Sequence, residues 1–194
     1  MILPAEPWFP LRTERLLLRE FRMGDFDDVH AYATDPEVVR YMEWGPNTPE
    51  VTREVLARWE ADAAVWPRPG VTLAAELLDT GRVIGSIRLE VTSPNDRTAD
   101  FGYSFHRPWW RQGYATEAAR AVVAVGFDKL GLHRVWATCD VRNVGSWGVM
   151  EKLGMRREGL LRRNRLVRDG WRDSYVYAVL AEEWEAATAG RRAP

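Results

Sequence analysis

The chain has 194 residues, 46% hydrophobic, 11% aromatic and 28% charged, with a formal net charge of -1. That length holds one sizeable core and is short for two domains, and the balance excludes disorder as the main state. The near-zero charge argues against general nucleic-acid binding. The longest apolar stretch, residues 121–127, is far below the roughly 18 residues of a membrane span. The single cysteine, Cys139, excludes an internal disulfide. No Cys/His cluster has metal spacing, so no metal is expected. The N-terminus lacks the basic region and apolar block of a signal peptide, and a reducing cytoplasm is the expected compartment.

Residues 1–10 and 186–194 read as loose tails around one domain spanning 1–194, with its core at about 12–184. Residues 13–20 read as a strand. Asp25 can cap a helix carrying Phe26, Val29 and Ala33 at helical spacing. Asp35-Pro36-Glu37 opens a short second segment. Thr48-Pro49-Glu50 repeats the signal and starts a helix with Val51, Val55 and Trp59 on one stripe, ending near Trp66-Pro67. The period then changes. Residues 71–78 and 83–91 form a hairpin around Asp79-Thr80-Gly81, and Ile87, Leu89 and Val91 share one face of its second strand. Phe101, Tyr103 and Phe105 alternate in a third strand. Residues 116–130 return to helical spacing, with Ala118, Val122, Val125 and Leu130 inward. A strand over 134–140 follows, then a short helix over 146–153 closed by Gly154. Residues 159–167 and 171–180 flank Arg168-Asp169-Gly170 as a last hairpin. The order β-α-α-β-β-β-α-β-α-β-β predicts an α+β (mixed α/β) domain. Helices cover a mostly antiparallel sheet, and the strand-helix-strand unit over 101–140 favours one parallel pair.

Chemistry concentrates at Arg111-Gln112-Gly113-Tyr114-Ala115-Thr116, between a strand and a helix. A glycine loop feeding a helix start presents free backbone N–H groups at the positive end of the helix dipole, which suits an anion such as pyrophosphate. Gly113 permits close backbone approach and Ala115 is small. Thr116 reads as a helix cap or as a phosphate partner.

The run Phe101-Gly102-Tyr103-Ser104-Phe105-His106, followed by Trp109-Trp110-Arg111-Gln112-Gly113-Tyr114-Ala115-Thr116-Glu117-Ala118, resembles the cofactor-binding core of the GNAT superfamily of acyl-CoA-dependent N-acetyltransferases. Asn143, Ser146 and Glu151-Lys152-Leu153-Gly154-Met155 follow at the family spacing. Upstream, Arg12-Thr13-Glu14-Arg15-Leu16-Leu17-Leu18-Arg19 and Tyr41-Met42-Glu43-Trp44-Gly45-Pro46 are similar to the RimJ/RimL-type branch, which acetylates protein N-terminal amines and assorted small amines. The resemblance implies the GNAT fold, with a splayed parallel strand pair, and acetyl-CoA as cosubstrate. It implies an amine acceptor, direct attack of that amine on the thioester, and paired chains in a homodimer. Phosphates would lie on the backbone from Arg111 to Thr116, with Gln112, Gly113, Tyr114 and Ala115 between. Pantetheine would lie against the strand ending at Phe105 and bond Asn143, which by residue type alone reads rather as a helix cap or turn residue. Ser146 maps onto a serine near the thioester sulfur, or caps its helix. The loop departs from the family pattern at Trp110, where a glutamine or arginine is usual.

Trp44 and Tyr103 are expected to line the acceptor site, against plain packing as the other reading. An acid that some relatives carry in the final hairpin is replaced by the basic stretch around Arg165. Glu43 and His106 remain as base candidates, against readings as a solvated loop charge and an exposed strand end; water can also serve. Arg156, Arg157, Arg162, Arg163, Arg165, Arg168 and Arg172 either steer an acidic acceptor or ribosomal RNA, or form a solvated hairpin face. Two alternatives stand beside a peptide acetyltransferase: an enzyme for small amines or antibiotics, and a CoA-binding module without catalysis.

Overall fold

The computed structural model describes residues 7–168 and 170–189. The outer parts of both expected tails, residues 1–6 and 190–194, and the hairpin residue Asp169 lie outside the described residues. The elements are β1 (Leu11–Arg12), β2 (Leu16–Glu20), α1 (Phe26–Ala33), α2 (Pro36–Val39), α3 (Pro49–Ala63), β3 (Gly70–Leu77), β4 (Val83–Ser93), β5 (Thr98–Phe105), α4 (Tyr114–Asp128), β6 (Arg134–Asp140), α5 (Val144–Lys152), β7 (Arg156–Val167), β8 (Gly170–Leu180) and α6 (Ala181–Ala189). One sheet runs β1-β2-β3-β4-β5-β6-β8-β7. Every neighbouring pair is antiparallel except β5–β6, the pair joined through α4. This is the mixed α/β class that the sequence predicts.

Alternation along the strands divides the core between two faces. Leu73 and Ala75 point to one face, where α4 buries Ala118, Ala119, Val122 and Val123 against Leu16, Leu18, Ile87 and Leu89. Ala74 points to the other, where α1 and α3 cover Phe21, Val29, Tyr32, Leu56 and Val83. At about 25 cal/mol per Å2 of apolar surface, each fully buried leucine or valine contributes roughly 1.5–3 kcal/mol.

Several expectations are corrected. The first strand is interrupted: β1 and β2 are separated by a turn over 13–15 that reaches across to α4. In α3 the buried stripe is Thr52 and Leu56 with Trp59 partly buried, while Val51 is exposed. Thr52 accepts this place because its hydroxyl bonds His30 Nδ1 at 2.9 Å. The described parts of both expected tails belong to the fold, residues 186–189 as the end of α6. Trp8 is buried with Phe9 packed against the core. Trp184 of α6 is buried, and its ring lies 5.8 Å from Phe127. The α4 helix begins at Tyr114, capped by Gly113, so Thr116 sits in its first turn and does not cap it. Likewise α5 begins at Val144, and Asn143, not Ser146, provides the cap.

Candidate active site

The β5–β6 pairing covers only Thr98–Arg134, Ala99–Val135 and Asp100–Trp136. Beyond that point β5 remains paired to β4 as far as Phe105, and β6 remains paired to β8 as far as Asp140. The two strands therefore part and leave a gap between Phe101–Phe105 and Ala137–Asp140. The His106 N–H bonds the Ile84 carbonyl. Antiparallel alternation then turns the backbone groups of Tyr103 and Phe105 away from β4, into the gap. The Phe105 carbonyl accepts from the Trp110 indole N–H at 2.6 Å, which leaves its own N–H for a ligand. The departure from the family pattern at Trp110 thus has a structural job: the indole clasps the end of β5.

The loop that follows β5 forms the cradle. Gly113 lies at φ 87°, a left-handed conformation that glycine adopts without strain. An added Cβ there would meet only Arg15 Nη2, at 3.4 Å. The first capping bond runs from Glu117 N–H to the Gly113 carbonyl, so the N–H groups of Tyr114, Ala115 and Thr116 open the helix toward the loop. Arg111 is also left-handed, at φ 60°. The Gln112 side chain folds back to the Pro108 carbonyl at 2.7 Å.

Arg15 and Glu117 hold the cradle, and neither was assigned a role from the sequence. The Glu117 carboxylate accepts from the Thr13 hydroxyl at 2.6 Å, the Arg15 N–H at 2.8 Å and Arg15 Nε at 2.7 Å. Burial opposes its ionisation, but these bonds outweigh burial and hold the carboxyl below the usual range. Arg15 also donates to the Gln112 carbonyl at 3.0 Å and stacks 4.2 Å over the Tyr114 ring. The pair lies more than a hundred positions apart in the chain, so no local pattern announces it.

Across the gap, Asn143 Oδ1 accepts from the Ser146 N–H at 3.1 Å. The Tyr103 hydroxyl donates to the Ser146 carbonyl at 3.0 Å and to Ser146 Oγ at 3.2 Å. Tyr103 is thus turned inward, between Phe101 and Phe105. Burial raises its pKa well above the usual tyrosine value, so the hydroxyl keeps its proton. Cys139 is buried beside Ser146, and burial pushes its thiol up to about 11. It is a core residue, as its strand position suggests.

The two base candidates lie apart from this group. Glu43 is half exposed and faces two guanidinium groups, Arg165 at 3.5 Å and Arg172 at 3.7 Å, which are cross-strand partners in the β7–β8 hairpin. Arg172 also donates to the Tyr41 carbonyl at 2.8 Å, and Arg168 donates to the Val39 carbonyl at 2.5 Å. Part of the arginine run therefore fastens the loop that carries Trp44, whose side chain is exposed. His106 has charged neighbours Arg82, Asp35, Asp28 and Arg107. Burial and then Arg82 lower its pKa, against Asp35 and Asp28. Sequence reading also passed over Asp140, which is 1% exposed. Burial raises its pKa, but the Arg142 side chain and N–H, at 2.8–3.0 Å, hold it below the usual range. An aspartate at a strand end with an arginine two positions on was the available signal.

A strand gap beside a glycine-capped helix is one arrangement; sequence relatedness decides what it is for. A family model described as the acetyltransferase (GNAT) domain matches residues 15–156. The chain belongs to the GNAT acetyltransferases. YnaD, an uncharacterized N-acetyltransferase of Bacillus subtilis, is 35% identical over 174 residues, covering 90% of this chain and 98% of its own. A GNAT-family acetyltransferase structure from Bacillus anthracis superposes with a TM-score of 0.79 at 34% identity, covering 89% of this chain and 98% of that one. The ribosomal protein uS5-alanine N-acetyltransferase of Escherichia coli is 29% identical over 90 residues, 46% of this chain and 45% of its own. This GNAT chain is therefore an acetyltransferase, and enzymes of this fold use acetyl-CoA. Among the described residues no helix is long and apolar enough to cross a membrane, and no cluster of His, Cys, Asp and Glu could hold a metal ion.

Proposed function

We propose that the chain binds acetyl-CoA along the β5–β6 gap and transfers the acetyl group to a primary amine, with a peptide N-terminal α-amine as the preferred acceptor. The observation that carries the donor part is the gap itself, ending in the Gly113 cradle where a side chain would introduce backbone strain. The open N–H groups of Tyr114, Ala115 and Thr116 hold the pyrophosphate, supported by Arg111, Gln112 and the Arg15–Glu117 brace. The backbone of Tyr103 and Phe105 and the amide of Asn143 hold the pantetheine arm. A thioester supplies an acyl carbon that a neutral amine attacks directly, without a cysteine intermediate. The high pKa of the Cys139 thiol accords with that.

The acceptor reading follows from the bases. Glu43 is engaged by Arg165 and Arg172, and His106 stands among the charged groups Arg82, Asp35, Asp28 and Arg107. With little deprotonating power, the enzyme favours amines that are already partly neutral. An α-amine titrates near 7.7–8.0 and is about a tenth neutral at pH 7; a lysine amine, near 10.4, is under about a thousandth neutral. The partial similarity to the uS5-alanine enzyme supports the same class. Trp44 on its fastened loop forms one wall of the acceptor site. We take the whole chain as one catalytic domain working in the cytoplasm as a homodimer.

The test is initial rate against pH for matched peptides, one with a free N-terminus and one blocked but carrying lysine. Faster acetylation of the blocked lysine peptide at pH 7 would overturn the acceptor assignment. Turnover of small amines but of neither peptide would redirect it to a small-molecule enzyme. Binding of acetyl-CoA without turnover of any amine would leave a regulatory module. Sedimentation velocity reads the assembly, and a monomer at micromolar concentration overturns the dimer.

A further inference from the structure

Beyond the last β5–β6 pair, Tyr103 reaches from β5 to the helix that follows β6. Its ring lies between Phe101 and Phe105, with centroids at 6.1 and 6.4 Å. Its hydroxyl crosses to the first turn of α5 and donates to Ser146 twice, to the carbonyl at 3.0 Å and to Oγ at 3.2 Å. The same turn is fixed a second way, by Asn143 Oδ1 on the Ser146 N–H. Ser146 is thus held at its N–H, its carbonyl and its Oγ, more restraint than an ordinary first-turn serine receives.

The direction of the Tyr103 bond matters. A serine hydroxyl has one hydrogen and two acceptor lone pairs. A donor that occupies one lone pair of Ser146 Oγ turns the serine's own hydrogen away from itself. Tyr103 acts in this sense through the single hydrogen of its phenol, shared between the Ser146 carbonyl and Oγ. The hydrogen of Ser146 is left for another acceptor. The other side chain set against it is Cys139, whose thiol also stays protonated and is a weak acceptor.

We propose that Tyr103 is a positioning residue for acyl transfer: it aims the Ser146 hydroxyl at the departing sulfur. The proposal rests on the placement of acetyl-CoA in that gap. In the step it serves, the amine nitrogen forms a bond to the acyl carbon and the carbon–sulfur bond breaks. The electron pair leaves on sulfur, the amine's surplus proton passes to water, and the thiolate takes its proton from water. Ser146 donates a hydrogen bond to the sulfur as charge gathers there. It gives up no proton, so neither it nor Tyr103 needs recharging. A fixed donor aimed where charge develops is worth more than a mobile one, because no reorganisation is required at the moment of reaction.

The experiment uses the full chain and a peptide with a free N-terminus. Tyr103→Phe keeps the ring and removes only the donor; Ser146→Ala removes the group it aims. Each single variant is expected to lower kcat by at least about tenfold, with the KM for acetyl-CoA changed less than about threefold, since the interaction belongs to the transition state. The double variant Tyr103→Phe/Ser146→Ala is expected to be no slower than Ser146→Ala alone, because Tyr103 works through Ser146. Independent losses that multiply in the double variant would overturn the proposal, as would a Tyr103→Phe enzyme with unaltered kcat. If Tyr103→Phe melts too low to assay, the proposal stands on Ser146→Ala, and an unaltered kcat there overturns it equally. Failure of the underlying reading looks different: calorimetry would show no binding of acetyl-CoA to the unaltered protein.

Discussion

Replacing Gly113 with valine tests the cradle at its most constrained atom. The glycine sits at φ 87° and ψ -5° as the residue that caps α4. Steric crowding is minor, since an added Cβ would meet only Arg15 Nη2 at 3.4 Å. The cost is therefore conformational. A residue with a Cβ in the left-handed region costs roughly 1–2 kcal/mol, and a β-branched one is the least tolerated there. Two outcomes share this energy. If the loop holds its shape, the whole cost appears as lost stability, and the melting temperature falls by about 2–8 °C for a chain of this length. If the loop relaxes, the N–H groups of Tyr114 and Ala115 turn out of line and acetyl-CoA affinity falls by about tenfold, or 1.4 kcal/mol. Thermal melting and calorimetric titration of the same preparation read both. A Gly113→Val variant with unchanged melting temperature and unchanged affinity would refute the strain and the cradle together.

Asn143 has two separable functions, and two substitutions separate them. Asn143→Ala removes the cap and is expected to cost about 0.5–2 kcal/mol of stability. Asn143→Asp keeps the acceptor for the Ser146 N–H but has no amide donor, so it should restore the melting temperature while the acetyl-CoA KM stays raised by about 0.5–1.5 kcal/mol in equivalent affinity. Recovery of both by aspartate would make Asn143 a cap and nothing more. For His106 the sign follows from its lowered pKa. The unfolded chain takes up the proton near 6.5 and the folded chain only at lower pH, so stability falls as pH drops below about 6.5 and levels off beneath the folded pKa. His106→Asn should lessen the fall in melting temperature below about pH 6.5; parallel curves for the two proteins would count against the burial of the imidazole.

What the sequence disclosed was whatever repeats at a fixed period or lies within a few residues. The β4 face of Ile87, Leu89 and Val91 is of this kind, as are the α4 stripe of Ala118, Val122 and Val125 and the strand–Gly113–helix junction. What it hid was contact between distant residues. Arg15 meets Glu117, Trp110 turns back to Phe105, and Arg165 and Arg172 meet Glu43, none with a periodic signature. The α3 stripe failed for a related reason. Thr52 counts as polar until His30 supplies its hydroxyl with a partner. At the candidate site the Gly113 loop was legible only together with the family-like run around it, and the Tyr103 hydroxyl was not, because only the folded chain brings it to Ser146.

Cys139 has a practical consequence at the bench. It is the single cysteine of the chain, it is buried, and its thiol is pushed up to about 11. Thiolate is the form that reacts with disulfide reagents and maleimides, and at pH 7–8 this residue holds almost none of it. A colorimetric thiol reagent added to a working reaction therefore records the coenzyme leaving the enzyme, free of signal from the protein itself. Acceptor panels can be read continuously, without separating product from catalyst.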